Sequence, residues 1–316
     1  MQCAFTKRLT EMNNSTQYRG AVIPMITPLT ASGELDEMAV DRLVDSLVTG
    51  GVSGIFVLGT TGEGVHVPKT FRRQLVRRTA QQAKNRCLVY AGLGDLQTSE
   101  FASANEYFRD GAHVVVAHPP ISSPVAETGL ANWYRLLLGQ LEGPLILYNI
   151  PMTTGVSIPL DAVDRLRGHP WLAGMKDSEN SQARHEELLR RFGGRPDFSI
   201  FVGVGALMEK GLQLGAQGIV PSVGNLIPEV CQHLCVAAER GDWKMADDHF
   251  SRMNAVAALY QRGRSLNESL SLLKAAVSCR GLCAPHVLPP LRPVSETEIT
   301  ALRNQMIRLH LLNGKS

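Results

Sequence analysis

Short β-branched apolar runs recur through the first two thirds of this chain, each followed by a stretch with helical spacing. That alternation limits the possible folds more than any other feature. The runs are "AVIPMITP" (21–28), "SGIFVLG" (53–59), "CLVYAGLG" (87–94), "HVVVAHP" (113–119), "PLILYNI" (144–150), "LAGMKD" (172–177), "FSIFVGV" (198–204) and "QGIVPSV" (217–223). They are nearly continuous in apolar character, as strands covered on both faces must be. The intervening segments, 36–50, 68–84, 98–110, 125–141, 159–167, 179–192 and 205–215, are amphipathic. Some open on a proline that suits a first helical turn, such as Pro68 and Pro159. Others close on a glycine suited to a helix end, such as Gly50, Gly111, Gly168 and Gly215. Eight strand-then-helix units predict an α/β fold, the (β/α)8 TIM barrel.

An open doubly wound sheet is the competing architecture, but the glycine fingerprint expected after its first strand is absent from "AVIPMITPLTAS". "GVGALM" (203–208) has two of the three glycines, too late in the chain. Beyond residue 225 the pattern is all helical, over 228–240, 242–263, 267–281 and 295–312. The expected organisation is a flexible N-terminal segment (1–17), the barrel (18–225) and a C-terminal helical region (226–316) packed on the barrel or on a neighbouring subunit.

Composition removes several classes of function. A net charge of +3 over 316 residues gives no nucleic-acid footprint. No apolar run approaches the roughly 20 residues that cross a bilayer. The first residues lack the apolar core of a secretory signal, and Met12 offers a second translation start. The basic cluster Arg72, Arg73, Arg77 and Arg78 has the spacing of a solvated helix face. Cys231 and Cys235, and Cys279 and Cys283, form two C-x3-C pairs among apolar neighbours; they read as small core residues, with no metal site. A reduced, cytoplasmic protein follows.

In this fold, chemistry gathers at the C-terminal ends of the strands. Those ends hold Thr60, Thr61 and Glu63 on strand 2, His118 on strand 4, Tyr148 and Asn149 on strand 5, Lys176 and Asp177 on strand 6, and Gly203 on strand 7. Lys176 is the anomaly, because it interrupts an otherwise apolar strand. A lysine taken out of water is held as the free amine more of the time. A free amine can condense with a ketone to an imine, an electron sink for making or breaking the adjacent C–C bond. Asp177, next along the strand, points to the opposite face and is a poor salt-bridge partner. Tyr148, one strand away, is a plausible proton carrier. The glycine-bracketed "GTTGEG" (59–64) could locally be a phosphate cradle, a nucleophile turn or a seat for another anion.

Together "GTTGE", "YNIP" and "GMKDS", with "GVG" and "GAQGIVPSVGN" after them, resemble the dihydrodipicolinate synthase/N-acetylneuraminate lyase family of class I, Schiff-base aldolases. The resemblance covers about residues 18–310. It implies an imine between Lys176 and the keto carbon of pyruvate or another 2-oxo acid. Tyr148 would pass protons, Thr60 would hydrogen-bond the tyrosine, and Thr61 with nearby N–H groups would hold the carboxylate. The GTTGEG loop is then a carboxylate seat, with Glu63 as a buried structural acceptor. Gly62, Thr153, Gly203 and the backbone of Val220 complete the expected substrate-binding set. No metal or organic cofactor is implied, and the expected assembly is a homotetramer built as a dimer of dimers.

Two positions depart from the pattern. Where most of the family has an aromatic pair after strand 4, this chain reads "HPPISSP" (118–124), with Pro120 and Ile121 in place of the relay phenol. Two residues after the proline of "YNIP", where the synthases carry a substrate-gripping arginine, stands Thr153. Small hydroxyls (Ser122, Ser123, Thr153, Thr154) replace that charge and suit a polyhydroxylated sugar acid or a less charged aldehyde. His118 and His66 are candidates for the lost relay. The expected activity is a 2-oxo-acid aldolase or lyase with its second substrate unassigned. The alternatives are a divergent 4-hydroxy-tetrahydrodipicolinate synthase, a non-catalytic keto-acid binder and, more weakly, a phosphate-binding barrel.

Overall fold

Eight parallel strands close on themselves in sequence order, with β8 pairing back onto β1. The structure, a computed structural model, describes residues 18–122 and 124–313. The N-terminal segment 1–17, with Met12 and Cys3, lies outside the described residues, as do Ser123 and 314–316. The strands are β1 (Gly20–Pro24), β2 (Gly54–Val57), β3 (Leu88–Gly92), β4 (Val114–Ala117), β5 (Leu145–Asn149), β6 (Leu172–Asp177), β7 (Ser199–Val202) and β8 (Gly218–Ile219). All but β6 are shorter than their apolar runs. β8 is cut to two residues because Pro221 has no N–H for a ladder and a 3₁₀ turn, Ser222–Asn225, follows at once.

The helices between them are α1 (Glu37–Thr49), α2 (Lys69–Ala83), α3 (Asn105–Arg109), α4 (Glu127–Leu138), α5 (Pro151–Thr154), α6 (Leu160–Leu166), α7 (Gln182–Phe192) and α8 (Met208–Gln213). α1 shows why they form. Asp36 Oδ1 accepts the Ala39 N–H at 2.9 Å as N-cap, and Ala39, Val40, Leu43, Val44 and Leu47 bury one face. The segment expected as a helix at 98–110 begins as a 3₁₀ turn, Thr98–Ala104, before α3. After β8 come α9 (Pro228–Glu239), which packs on β1, and then α10 (Trp243–Gln261), α11 (Leu266–Cys279) and α12 (Glu296–Arg308).

Strand periodicity sorts the apolar side chains into two cores. Ile55, Val57, Leu145 and Leu147 face outward into the layer shared with the helices. Phe56, Ile146, Tyr148, Phe201 and Val220 face inward and fill the barrel. One irregularity matters for the site. Between β5 and β6 the pairing steps from Leu145–Leu172 to Ile146–Gly174, so β6 carries an extra residue, Ala173. Ala173 faces the barrel and Met175 faces the helices, although the two are separated by a single position. The bulge therefore resets the phase, which leaves Lys176 inward and Asp177 outward. Gly174 permits it, since a Cβ there would stand 2.1 Å from the Ser199 carbonyl oxygen.

The basic cluster on α2 is not simply solvated. Arg73 and Arg77 converge on Asp110, Arg78 pairs with Asp41, and Arg72 turns inward. The second cysteine pair also differs from a common helix face: Cys279 ends α11 half-buried, and Cys283 lies beyond the helix. All five described cysteines are free, and burial pushes the Cys235 and Cys283 thiols up to about 12.

Candidate active site

At the C-terminal end of β6 the Lys176 side chain enters the barrel and stops against aromatic faces. Its Nζ lies 3.8 Å from the Tyr148 ring centre and 5.1 Å from that of Phe56, and the residue is 6% exposed. Tyr148 and Lys176 are direct partners in the β5–β6 register. Among the described residues no carboxylate comes within ion-pair distance of this amine. Asp177, on the other face of β6, is taken up by Arg184 Nε at 2.7 Å and Asn149 Nδ2 at 3.0 Å. That network, continued by Glu179 and Ser157, braces the ends of β5 and β6 from outside the barrel. Burial would raise the Glu179 carboxyl, but hydrogen bonds from Ser157 and Asn149 and the nearby Arg184 hold it below the ordinary range.

The Tyr148 hydroxyl meets the Thr60 hydroxyl at 3.2 Å across the barrel mouth. Thr60 belongs to the loop that follows β2, and that loop is tightly wound. The Gly62 and Gly64 N–H groups both return to the Gly59 carbonyl at 3.0 and 2.9 Å, and Thr27 Oγ1 donates to the Gly62 carbonyl at 2.6 Å. A Cβ on Gly64 would lie 1.8 Å from the Leu58 carbonyl oxygen, so only glycine fits. Leu58 and Glu63 hold positive φ, 60° and 56°, a strain concentrated at this loop. The Thr60 and Thr61 amides donate to no group among the described residues. Thr61 is half-buried, and Gly62 is packed beneath the loop.

Glu63 turns away from the chemistry. Its carboxylate is buried in an ion pair with Lys274 of α11 and accepts the Leu288 N–H at 2.6 Å. Lys274, 1% exposed, also donates to the His286 carbonyl at 2.8 Å. Arg72 holds the loop's other side through the Gly64 carbonyl at 2.6 Å and the Leu93 carbonyl at 3.2 Å.

His118 follows β4, 8% exposed, with its ring 6.4 Å from the Tyr148 ring and nearly perpendicular to it. A carbonyl only accepts, so His118 Nδ1–H donates to the Pro119 oxygen at 2.7 Å; in a neutral ring Nε2 is then the acceptor. Burial lowers its pKa; the Pro119 bond and Asp95 oppose that without cancelling it. Asp95 anchors the segment where the resemblance would place an aromatic pair. Its carboxylate accepts the Ile121 and Ser122 amides at 2.6 and 2.9 Å and pins the post-β4 loop. His66 is exposed at the rim.

Gly203 faces Lys176; a Cβ there would lie 3.1 Å from Lys176 Cε. Val220 lines the same inner space beneath the amine. Thr153, on α5, lines the outer cleft, and its buried Oγ1 has no hydrogen-bond partner among the described residues. Thr154, by contrast, spends its hydroxyl on the Ile150 and Val156 carbonyls. The outer cleft measures about 620 Å³ including its open mouth. Its far wall comes from Leu266, Asn267, Leu270 and Leu291 of the C-terminal region, residues the strand-end reasoning does not reach. Among the described residues no cluster of three or more His, Cys, Asp or Glu side chains could hold a metal. No described helix is long and apolar enough to cross a membrane.

Comparison with known proteins gives the family and the fold. A sequence profile of the Dihydrodipicolinate synthetase family matches residues 17–308. The 4-hydroxy-tetrahydrodipicolinate synthase of Thiobacillus denitrificans is 30% identical over 296 residues, which span 93% of this chain and 98% of that protein. A dihydrodipicolinate synthase structure from Bacteroides thetaiotaomicron superposes with a TM-score of 0.86 at 30% identity, covering 92% of this chain and 98% of that one. YagE of Escherichia coli, a putative 2-dehydro-3-deoxy-D-gluconate aldolase, is 27% identical over 303 residues, 95% of this chain and 100% of that protein. Its crystal structure in complex with pyruvate has a TM-score of 0.86 and covers 93% and 99% of the two chains.

Proposed function

The chain belongs to the dihydrodipicolinate synthetase family, and from that premise we propose that it is a class I aldolase in which Lys176 forms an imine with a 2-oxo acid. The observation that carries the reading is the Lys176 amine, buried without a carboxylate partner against Tyr148, whose hydroxyl meets Thr60. Nζ adds to the keto carbon and water leaves. Loss of a proton from the neighbouring carbon then gives an enamine. That carbon attacks an aldehyde, the new alkoxide takes a proton, and hydrolysis frees the amine; the lyase direction reverses these steps. The imine is itself the electron sink, so the reaction calls for no metal or organic cofactor.

Tyr148 carries the protons, with Thr60 Oγ1 at 3.2 Å fixing its hydroxyl. The unengaged Thr60 and Thr61 amides, with the Thr61 hydroxyl, seat the 2-oxo acid's carboxylate. Gly62 gives the backbone room to approach, and Gly203 and Val220 border the keto acid beside the amine. His118, whose pKa burial lowers and whose Nδ1–H is bonded to Pro119, is the auxiliary acceptor through Nε2 where the phenol is missing. Pyruvate is the keto acid of choice, since YagE binds it in the same fold. The homotetramer and the cytoplasmic setting belong to the same reading.

Borohydride added in the presence of pyruvate is expected to leave a reduced pyruvyl adduct on Lys176 alone, located by peptide mass. A folded protein without the adduct would end the proposal. Loss of the relay phenol and the pinning of Ile121 by Asp95 favour one second reading, a keto-acid binder without turnover. An adduct with no reaction toward any aldehyde or hydroxy-oxo acid would select it.

A further inference from the structure

The outer cleft is short of free charge. Glu63 reaches its edge, but the carboxylate is consumed by Lys274 and the Leu288 amide. Arg72, outside the lining, donates to the carbonyls of Val67, Leu93 and Gly64. Burial lowers the His118 pKa. Lys176 is committed to the imine. Among the described residues no Lys or Arg side chain lines the cleft to receive a carboxylate on the second substrate, His66 stands exposed at its rim, and burying an unpaired carboxylate is costly.

What the cleft offers is apolar. Leu58 and Val65 come from the loop side, and Leu266, Leu270 and Leu291 come from the C-terminal region. Val65 and Leu266 are large apolar side chains 40% and 38% exposed at the same mouth. Thr153 Oγ1, buried and without a partner among the described residues, lines the same cleft and is a neutral group suited to a carbonyl or hydroxyl oxygen.

We infer that the second substrate is an uncharged aldehyde bearing an apolar substituent, which lies against Leu58, Val65, Leu266, Leu270 and Leu291 while Thr153 meets its oxygen. The inference rests on the imine reading above. The C–C bond forms between the enamine carbon and the aldehyde carbon. The aldehyde oxygen takes one proton, and water cleaves the imine; the product is a 4-hydroxy-2-oxo acid with an apolar tail. No oxidant or reductant enters.

The test uses the full chain, pyruvate and a matched set of aldehydes: acetaldehyde, butanal, benzaldehyde and succinic semialdehyde. The last has butanal's four carbons with a carboxylate. kcat/KM is expected to rise about tenfold or more from acetaldehyde to butanal or benzaldehyde, the worth of a few methylenes in an apolar pocket. Succinic semialdehyde is expected to fall roughly 10²-fold below butanal. In Leu270→Arg that ratio should shift toward the carboxylate by about tenfold or more, with the borohydride adduct on Lys176 retained as proof of folding. Equal use of butanal and succinic semialdehyde, preference for the charged one, or adduct formation with no aldehyde consumed each overturns the inference. Absence of the adduct overturns the imine reading instead, so the two failures are told apart.

Discussion

Two buried lysines of this molecule differ in what surrounds their amines. Lys274 sits where the loop after β2 meets α11, closed in an ion pair with Glu63 and bonded to the His286 carbonyl. Burial lowers its pKa, and Glu63 opposes the change. Lys176 sits inside the barrel with only the ring faces of Tyr148 and Phe56 beside its nitrogen. The same residue type, nearly equally buried, is thus given a counter-ion in one place and denied one in the other. A counter-ion ties the first amine to a fixed architecture, while the second, in the reading proposed above, is left to meet a keto acid.

The comparison breaks most sharply at Lys176. Lys176→Met is expected to lower turnover roughly 10³-fold or more, as removal of a covalent nucleophile does, and to leave the melting temperature unchanged or raised. A large loss of stability with modest loss of turnover would reverse the two roles. Next comes Lys274→Met, which strands the Glu63 carboxylate in the interior and should cost about 3–5 kcal/mol in urea unfolding. Adding Glu63→Gln to it should recover most of that loss, and the remaining folded protein should still trap pyruvate. If the double variant is no better than the single, Glu63 has a task beyond the pair.

A smaller effect follows from Thr60→Val, which removes the partner of the Tyr148 hydroxyl. About tenfold in kcat is expected, the worth of one hydrogen bond, with KM for pyruvate nearly constant. An unchanged kcat would take Thr60 out of the proton path.

The last and smallest effect concerns pH. His113 and His118 are both held below the ordinary value of 6.5 by burial. As pH falls through about 6.5 the unfolded chain binds these protons first, so stability rises with pH across this window. It is complete above it and is lost as pH drops toward the folded values. Asp110 and Glu179, lowered from 3.8 and 4.5, keep their contribution until the pH falls below those ordinary values. Urea midpoints in the His118→Gln variant should therefore decline less steeply between pH 7 and 5.5 than in the parent; parallel declines would show that His118 does not drive the window.

The barrel was legible because a strand covered on both faces has a composition that helices rarely share, and eight such runs leave little choice of topology. Lys176 and Tyr148 stood out as polar groups ending apolar strands. Other features leave no such mark. Gly174 reads as an ordinary strand glycine until the bulge shows that it sets which way Lys176 faces. Arg72 shares its helical spacing with three surface arginines, and spacing alone does not tell a carbonyl staple from a solvated side chain. Leu266, Leu270 and Leu291 reach the cleft only through the packing of the C-terminal region on the barrel, a long-range contact that local pattern does not encode.

The bond between Glu63 and the Leu288 amide joins positions 225 residues apart. On a ribosome adding about 5–20 residues per second, that stretch takes roughly 10–45 s to emerge. For all of that time the loop at the barrel mouth exists without its anchor. A nascent chain therefore already carries Lys176, but the rim at the barrel mouth is finished only when the segment around Leu288 leaves the exit tunnel.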